Sequence, residues 1–193
     1  MKINEYNNPK NSLVLYELDN KLNFLIQLYK SKKLPKVLMV SGKKGVGKFT
    51  LVNHFLTYIY DHDNYDLENK SINDESYFYK QYISDLFPNI IHLSGEKFKG
   101  IRIEDVRNLK STIFSTTILN KERFIIFDDI ELFNTSSLNA LLKIIEEPAK
   151  NNYFILINNK TKPLIETINS RSLEMKIILD NNKRKKIIES LIQ

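Results

Sequence analysis

Only five glycines occur in the 193 residues, and three of them fall within six positions, at Gly42, Gly45 and Gly47. Glycines gathered so closely mark a backbone that must turn tightly or lie against a ligand. The full run is Gly42-Lys43-Lys44-Gly45-Val46-Gly47-Lys48, which fits G-x-x-x-x-G-K. It follows the apolar run Val37-Leu38-Met39-Val40 and precedes a helical pattern through Leu51, Phe55, Tyr58 and Ile59. A strand, a glycine loop and a helix in that order form a phosphate cradle. Successive backbone N–H groups make an anion nest, the helix N-terminus adds positive potential, and Lys48 reaches the terminal phosphates.

The pattern departs at its last position. A Ser or Thr hydroxyl after the lysine ligates Mg2+ in such loops. Here Phe49 stands there and Thr50 comes one place late. One residue turns a helical side chain by about 100°, so Thr50 is expected to point away from an ion. ATP and Mg2+ are the ligands the loop implies. Phe49 favours a retained fold that no longer handles Mg-ATP over full ATPase function.

Other short apolar runs alternate with helical spacing. Strands are predicted near 37–40, 89–93, 124–127, 153–157 and 173–179. Helices are predicted over 13–31, 49–60, 77–87, 103–114 and 181–192, with a short helix or turn over 163–170. Leu138, Leu141, Leu142 and Ile145 give a further amphipathic helix stopped by Pro148. Residues 61–76 hold six acids and little apolar content, which predicts a solvated loop. Alternating strands and helices predict a parallel sheet covered on both faces. The fold class is therefore α/β, a three-layer P-loop domain with a five-stranded parallel sheet flanked by helices.

The third strand ends in Asp128-Asp129, four apolar residues and then two acids. This is the Walker B form. Asp128 would hold the Mg2+ shell and Asp129 would orient the attacking water. Glutamate is usual at the second position, and Asp129 is one methylene shorter. Displacing a catalytic base by about an ångström costs on the order of a hundredfold.

Composition closes several other routes. With no cysteine, disulfides, thiolate zinc sites and cysteine nucleophiles are excluded. No apolar run is long enough for a membrane span, and the first residues form no apolar signal region, so a soluble, cytoplasmic protein is expected. Lys plus Arg is 29 against 23 acids, a net +6 with pI near 9.2, which favours polyanion partners only weakly. The basic run Lys183-Arg184-Lys185-Lys186 fits a solvated helix face better than a DNA contact. His54, His62 and His92 are scattered, and His62 among Asp61, Asp63 and Asp66 reads as part of an acidic loop rather than a metal site.

Taken together, several runs resemble the clamp-loader branch of the AAA+ ATPases. They are Phe124-Ile-Ile-Phe-Asp-Asp-Ile-Glu-Leu-Phe-Asn134, Leu138-Asn-Ala-Leu-Leu-Lys-Ile-Ile-Glu-Glu-Pro148, Tyr153-Phe-Ile-Leu-Ile-Asn-Asn159 and Thr167-Ile-Asn-Ser-Arg-Ser172. Leu34-Pro35 and Ile103-Glu-Asp-Val-Arg107 extend the likeness. Within that family the chain looks most like the delta-prime group of bacterial DNA polymerase III. The loop hydroxyl is missing, and the cysteine-ligated zinc module of many relatives is absent, with residues 61–87 in its place.

The resemblance implies a ring subunit that helps place the sliding clamp on primed DNA. Its partners would be the other clamp-loader subunits, motor and delta-like, and indirectly the clamp and DNA. Delta-prime subunits act as stators with little hydrolysis of their own. By the match, Arg171 of Ser170-Arg171 is an arginine finger supplied in trans to a neighbour's ATP site. Ser172 replaces the usual cysteine. Asn158 matches the sensor-one position, where it either bonds a γ-phosphate or water, or caps the next turn. Residues 1–180 would be the AAA+ domain and 181–193 the start of a truncated helical lid. A competent motor subunit and a non-assembling fragment are the alternatives.

Overall fold

The computed structural model describes residues 9–95, 113 and 121–192. The helix expected over 103–114 falls almost wholly outside them. Two compact units emerge, and the chain passes between them inside the glycine loop. One comprises Pro35–Lys44 and Pro88–Ile177. The other takes the residues up to Leu34, Gly45–Phe87 and those from Ile178 onward.

The first unit holds a five-stranded sheet, all parallel. Its strands are β1 (Val37–Ser41), β4 (Ile90–Ser94), β5 (Arg123–Asp128), β6 (Asn152–Asn158) and β7 (Leu173–Lys176), in the order β4-β5-β6-β1-β7. Each central strand is one near-continuous apolar run, as a sheet buried on both faces requires. Side chains alternate between the faces. Val37 and Met39, Ile125 and Phe127, and Phe154 and Leu156 therefore share one face and enter one core cluster.

The helix α4 (Thr135–Glu146) covers that face with Leu138, Leu141, Ile144 and Ile145. Its start is fixed by Asn134, whose side chain accepts the Ser137 N–H at 2.8 Å, an N-cap worth about 1 kcal/mol. Pro148 cannot continue a helix, and the helix ends at Glu146. The one-turn α5 (Glu166–Asn169) follows β6 and adds Ile168 to the same core.

The second unit contains α1 (Asp19–Lys30), α2 (Lys48–Tyr60), α3 (Tyr77–Ile83), α6 (Asn181–Ile192) and a small hairpin. The first helix begins at Asp19, not near residue 13. Glu17 sits in the left-handed region at φ 58°, which interrupts a helix, and the preceding residues pair with the hairpin instead. Val14 bridges Ser71, Leu15 N–H donates to Lys70 O, and Ile72 N–H donates to Leu13 O.

That hairpin, β2 (Tyr65–Asp66) and β3 (Ser71–Ile72), lies where a solvated loop was expected. Buried Tyr65 and Ile72 anchor it, while Asp66 accepts the N–H groups of Glu68 and Asn69 across its turn. Five acids of this stretch, Asp63, Asp66, Glu68, Asp74 and Glu75, do remain exposed, and Asp61 is half-buried. The basic α6 carries Lys183 and Lys186, each 4.0 Å from Glu17.

Candidate functional site

Parallel strands present all their carboxyl ends at one edge of the sheet, which is where ligands bind in open α/β folds. Here that edge gathers several of the residues singled out above. Ser41 pairs in register with Asn158, and the Gly42 N–H donates to Asn158 O at 3.1 Å, so the glycine loop leaves the sheet beside the end of β6. Phe127 pairs with Leu156, which puts Asp128 one rung further toward the same edge on β5. Ser94 pairs with Asp128 on the other side.

The two acids have different surroundings. Asp128 Oδ1 accepts the Asp129 N–H at 2.9 Å. Asp129 has φ 53°, a conformation that is unfavourable for a residue with a Cβ and that needs support from its neighbours. The support is visible. Asn159 Nδ2 donates to Asp129 Oδ1 at 2.5 Å, and Leu132 N–H donates to Asp129 O at 2.8 Å.

Glu131, which sequence reasoning did not single out, holds Asn159 in turn. Its buried carboxylate accepts the Asn159 N–H at 3.1 Å and the Thr161 hydroxyl at 2.9 Å. Its only signal was a third acid close behind two others. Asn158 Oδ1 accepts the Lys160 N–H at 2.8 Å, and its Nδ2 lies 3.9 Å from Met39 Sδ. Of the two asparagines, Asn159 is the one on the acid, and Asn158 caps the turn after β6.

Another stretch of backbone comes close at Gly95. Its N–H donates to Asp128 O at 2.9 Å, and a Cβ there would lie 2.7 Å from Asp129 O and 3.1 Å from Leu132 Cβ. The obstacle is backbone, which cannot swing aside. Gly95→Ala should therefore lower stability by about 1–3 kcal/mol through overpacking, read as a fall in the urea midpoint. An unchanged midpoint would mean that the Asp129 turn yields freely.

At the same edge, the Ser41 hydroxyl donates to Glu174 Oε1 at 2.5 Å and Lys160 Nζ stands 3.3 Å away. Above all the Ser41 bond, and then Lys160, hold Glu174 below the usual carboxylate range against a smaller opposing effect of burial.

In the second unit, Gly47 is the N-cap of α2 at φ 80°, and Gly45 has φ 82°. A Cβ at Gly47 would also meet Leu18 Cδ1 at 3.2 Å. Lys43, Lys44 and Gly45 are exposed and Val46 is buried. Lys48, Phe49 and Thr50 form the first turn of α2. Lys48 and Phe49 are buried and Thr50 is half-buried.

At the start of α2, a glycine N-cap followed by a lysine is a combination that suits a phosphate anion. They do not suit Mg2+ held in the usual way. Phe49 is 7% exposed and offers no oxygen where the hydroxyl ligand belongs. Among the described residues no group of three or more His, Cys, Asp or Glu side chains is placed to hold a metal.

Arg171 follows α5. Its Nε donates to Glu146 Oε1 at 2.9 Å, its Nη2 lies 2.8 Å from the same oxygen as an ion pair, and its Nη1 donates to Thr167 O at 3.2 Å. The side chain is 39% exposed, so it lies on a surface and not in the core. Among the described residues no helix is long and apolar enough to cross a membrane.

Comparison with known proteins places these features in context. A family model described as DNA polymerase III, delta subunit, matches residues 18–180. The DNA polymerase III subunit delta' of Buchnera aphidicola subsp. Baizongia pistaciae is 37% identical over 81 residues, 42% of this chain and 24% of that protein. The subunit delta' of Buchnera aphidicola subsp. Acyrthosiphon pisum is 26% identical over 155 residues, 80% of this chain and 47% of that protein. Among solved structures, a DNA polymerase III gamma subunit-related protein of Thermotoga maritima superposes with a TM-score of 0.53 at 18% identity. That match covers 86% of this chain and 49% of the other. It concerns the fold alone, and it agrees with the expected α/β P-loop architecture. The chain spans about a quarter to a half of the length of the two curated relatives.

Proposed function

The chain belongs to the family described as DNA polymerase III, delta subunit, and on that premise we propose that it acts as a delta-prime-type stator of the clamp loader. In this reading it joins the motor and delta-like subunits in a ring that places the sliding clamp on primed DNA. Its own ATP hydrolysis is weak or absent. Arg171 acts in trans on the ATP of a neighbouring motor subunit. Residues 1–180 serve as the AAA+ domain and 181–193 as the beginning of a helical lid.

The observation that carries the reading is a combination within one chain. The phosphate loop has a buried Phe49 at the Mg2+ hydroxyl position, while an arginine stands exposed after β6. A subunit built this way has lost a ligand for its own hydrolysis and retains a cation for another's. Gly45, Gly47 and Lys48 at the start of α2 keep the groups that an anion cradle uses. Asp128 is then left as the one oxygen donor of the usual Mg2+ pair, and Asp129 and Asn158 have no metal-bound nucleotide to act on.

The test is a calorimetric titration with a non-hydrolysable ATP analogue, with and without Mg2+. Absent binding, or binding indifferent to Mg2+, is expected. Tight Mg2+-dependent binding would overturn the stator reading and favour a competent motor subunit. Co-elution with the other clamp-loader subunits is expected as well, and failure to assemble with any of them would leave a non-assembling fragment.

A further inference from the structure

The E-E-P run that ends α4 and the Ser-Arg pair that follows α5 are separate motifs in the sequence, and the structure joins them. Glu146 and Arg171 lie 25 residues apart, and one carboxylate oxygen of Glu146 accepts the Arg171 Nε–H and forms an ion pair with Nη2. We propose that Glu146 is a positioning residue, which aims the Arg171 guanidinium at a phosphoryl group presented by a neighbouring subunit. The inference rests on the reading of Arg171 as a finger acting in trans.

An unrestrained arginine on a surface samples many rotamers, with about 2 kcal/mol of side-chain entropy to lose on engagement. A finger held in place beforehand avoids that loss, which is the general benefit of preorganisation. Arg171 is held from two elements at once. From the end of α4, Glu146 Oε1 accepts the Nε–H at 2.9 Å and lies 2.8 Å from Nη2. Thr167 O takes Nη1 at 3.2 Å, and Ser170 Oγ lies 3.4 Å from the same nitrogen.

Contacts on both edges fix the plane of the guanidinium. They still leave the side chain 39% exposed. With Nε and Nη1 held by protein acceptors, the exposed part of the guanidinium remains for an incoming anion.

Stability does not account for this arrangement. Both partners are well exposed, and pairs of that kind are worth about 0–1 kcal/mol. The carboxylate also offsets part of the cation's charge, so it adds nothing to raw attraction. What it supplies is direction. Small misplacements of a reacting group carry large rate penalties, on the order of a hundredfold for an ångström.

The experiment uses the protein assembled with the ATP-hydrolysing subunits of its clamp loader, with rates taken per assembled complex. Glu146→Ala should lower kcat of the neighbour's hydrolysis about tenfold with KM for ATP unchanged, because the nucleotide is bound by the neighbour. Glu146→Gln keeps an oxygen that can accept the Arg171 Nε–H and should recover most of the rate. In an Arg171→Ala background, Glu146→Ala should have no further effect.

A rate left intact in Glu146→Ala while Arg171→Ala is impaired would overturn the positioning role alone. So would equal losses from Glu146→Ala with and without Arg171. Unchanged hydrolysis in Arg171→Ala would overturn the finger reading and this inference with it. A fold defect in the alanine variant is controlled by Glu146→Gln. That variant must retain the rate under the proposal, and a rate as low as that of the alanine variant overturns it.

Discussion

Replacing Arg171 by alanine should lower ATP hydrolysis by the neighbouring motor subunit at least tenfold, with this chain still folded and assembled. The size follows from charge. As the γ-phosphoryl group departs, negative charge spreads over its oxygens, and a guanidinium aimed at them contributes about 10³–10⁵ in rate in related phosphoryl-transfer systems. The folded state has little to lose. Arg171 sits at the surface, and its bonds to Glu146 and Thr167 O are exposed, so their removal should change stability by less than about 1 kcal/mol. Arg171→Lys should recover little, because an ammonium lacks the planar fork that Glu146 and Thr167 hold and that a phosphate engages. Single-turnover hydrolysis in the assembled complex, beside a thermal melt of each variant, separates the two effects. A tenfold loss with an unshifted melt supports the finger. Wild-type hydrolysis in an intact complex sinks it.

The part of this arrangement that could be read from the sequence was local or periodic. Phe124-Ile125-Ile126-Phe127 and Phe154-Ile155-Leu156-Ile157 are buried from end to end, and such runs between turns announce a parallel sheet before any contact is known. Gly42, Gly45 and Gly47 announce the loop for the same reason, since the positive φ at Gly45 and Gly47 is a local demand. The interval before α1 was misread because Leu15, Leu18 and Leu22 have helical spacing. Only Glu17 at φ 58° and the pairing of Val14 with Ser71 show otherwise, and that pairing spans more than fifty residues.

The supports of the site were hidden for a related reason. Asn159 on Asp129, Glu131 on Asn159 and Glu146 on Arg171 are each made by residues about 25 to 30 positions apart. Nothing in the spacing says which asparagine of the pair turns to the acid. The register of β6 and the cap that Asn158 gives to Lys160 decide it.

His54 gives the other large expected effect, and it too was invisible as a scattered histidine. It lies on α2 with no exposed surface, and burial pushes its pKa from the ordinary 6.5 down to about 4 against a smaller opposing pull from the Ser12 carbonyl. The contacts fix the neutral tautomer. Nε2 is 3.1 Å from Ser12 O, which can only accept, so Nε2 carries the proton. Nδ1, 3.0 Å from the Tyr65 hydroxyl, then accepts from it. Adding a proton to Nδ1 would put a charge on a ring shut off from water and make the Tyr65 hydroxyl turn its oxygen to the new N–H.

The unfolded chain has no such restraint and binds a proton near pH 6.5. Between pH 6.5 and about 4 the unfolded state therefore holds more protons than the folded one, and stability must fall as the pH falls. The stabilising contribution is whole above pH 6.5 and is lost progressively down to about pH 4, where the folded protein also protonates. At about 1.36 kcal/mol per pH decade the loss is on the order of 3 kcal/mol. Asp66, Glu75 and Glu174, all held below the usual carboxylate range, lose their contributions mainly below that window. His54→Gln, which can donate to Ser12 O and accept from Tyr65 without titrating, should flatten the curve of urea-unfolding free energy between pH 6.5 and 4. Parallel curves for the two proteins would mean that the histidine reaches solvent and charges in the folded state.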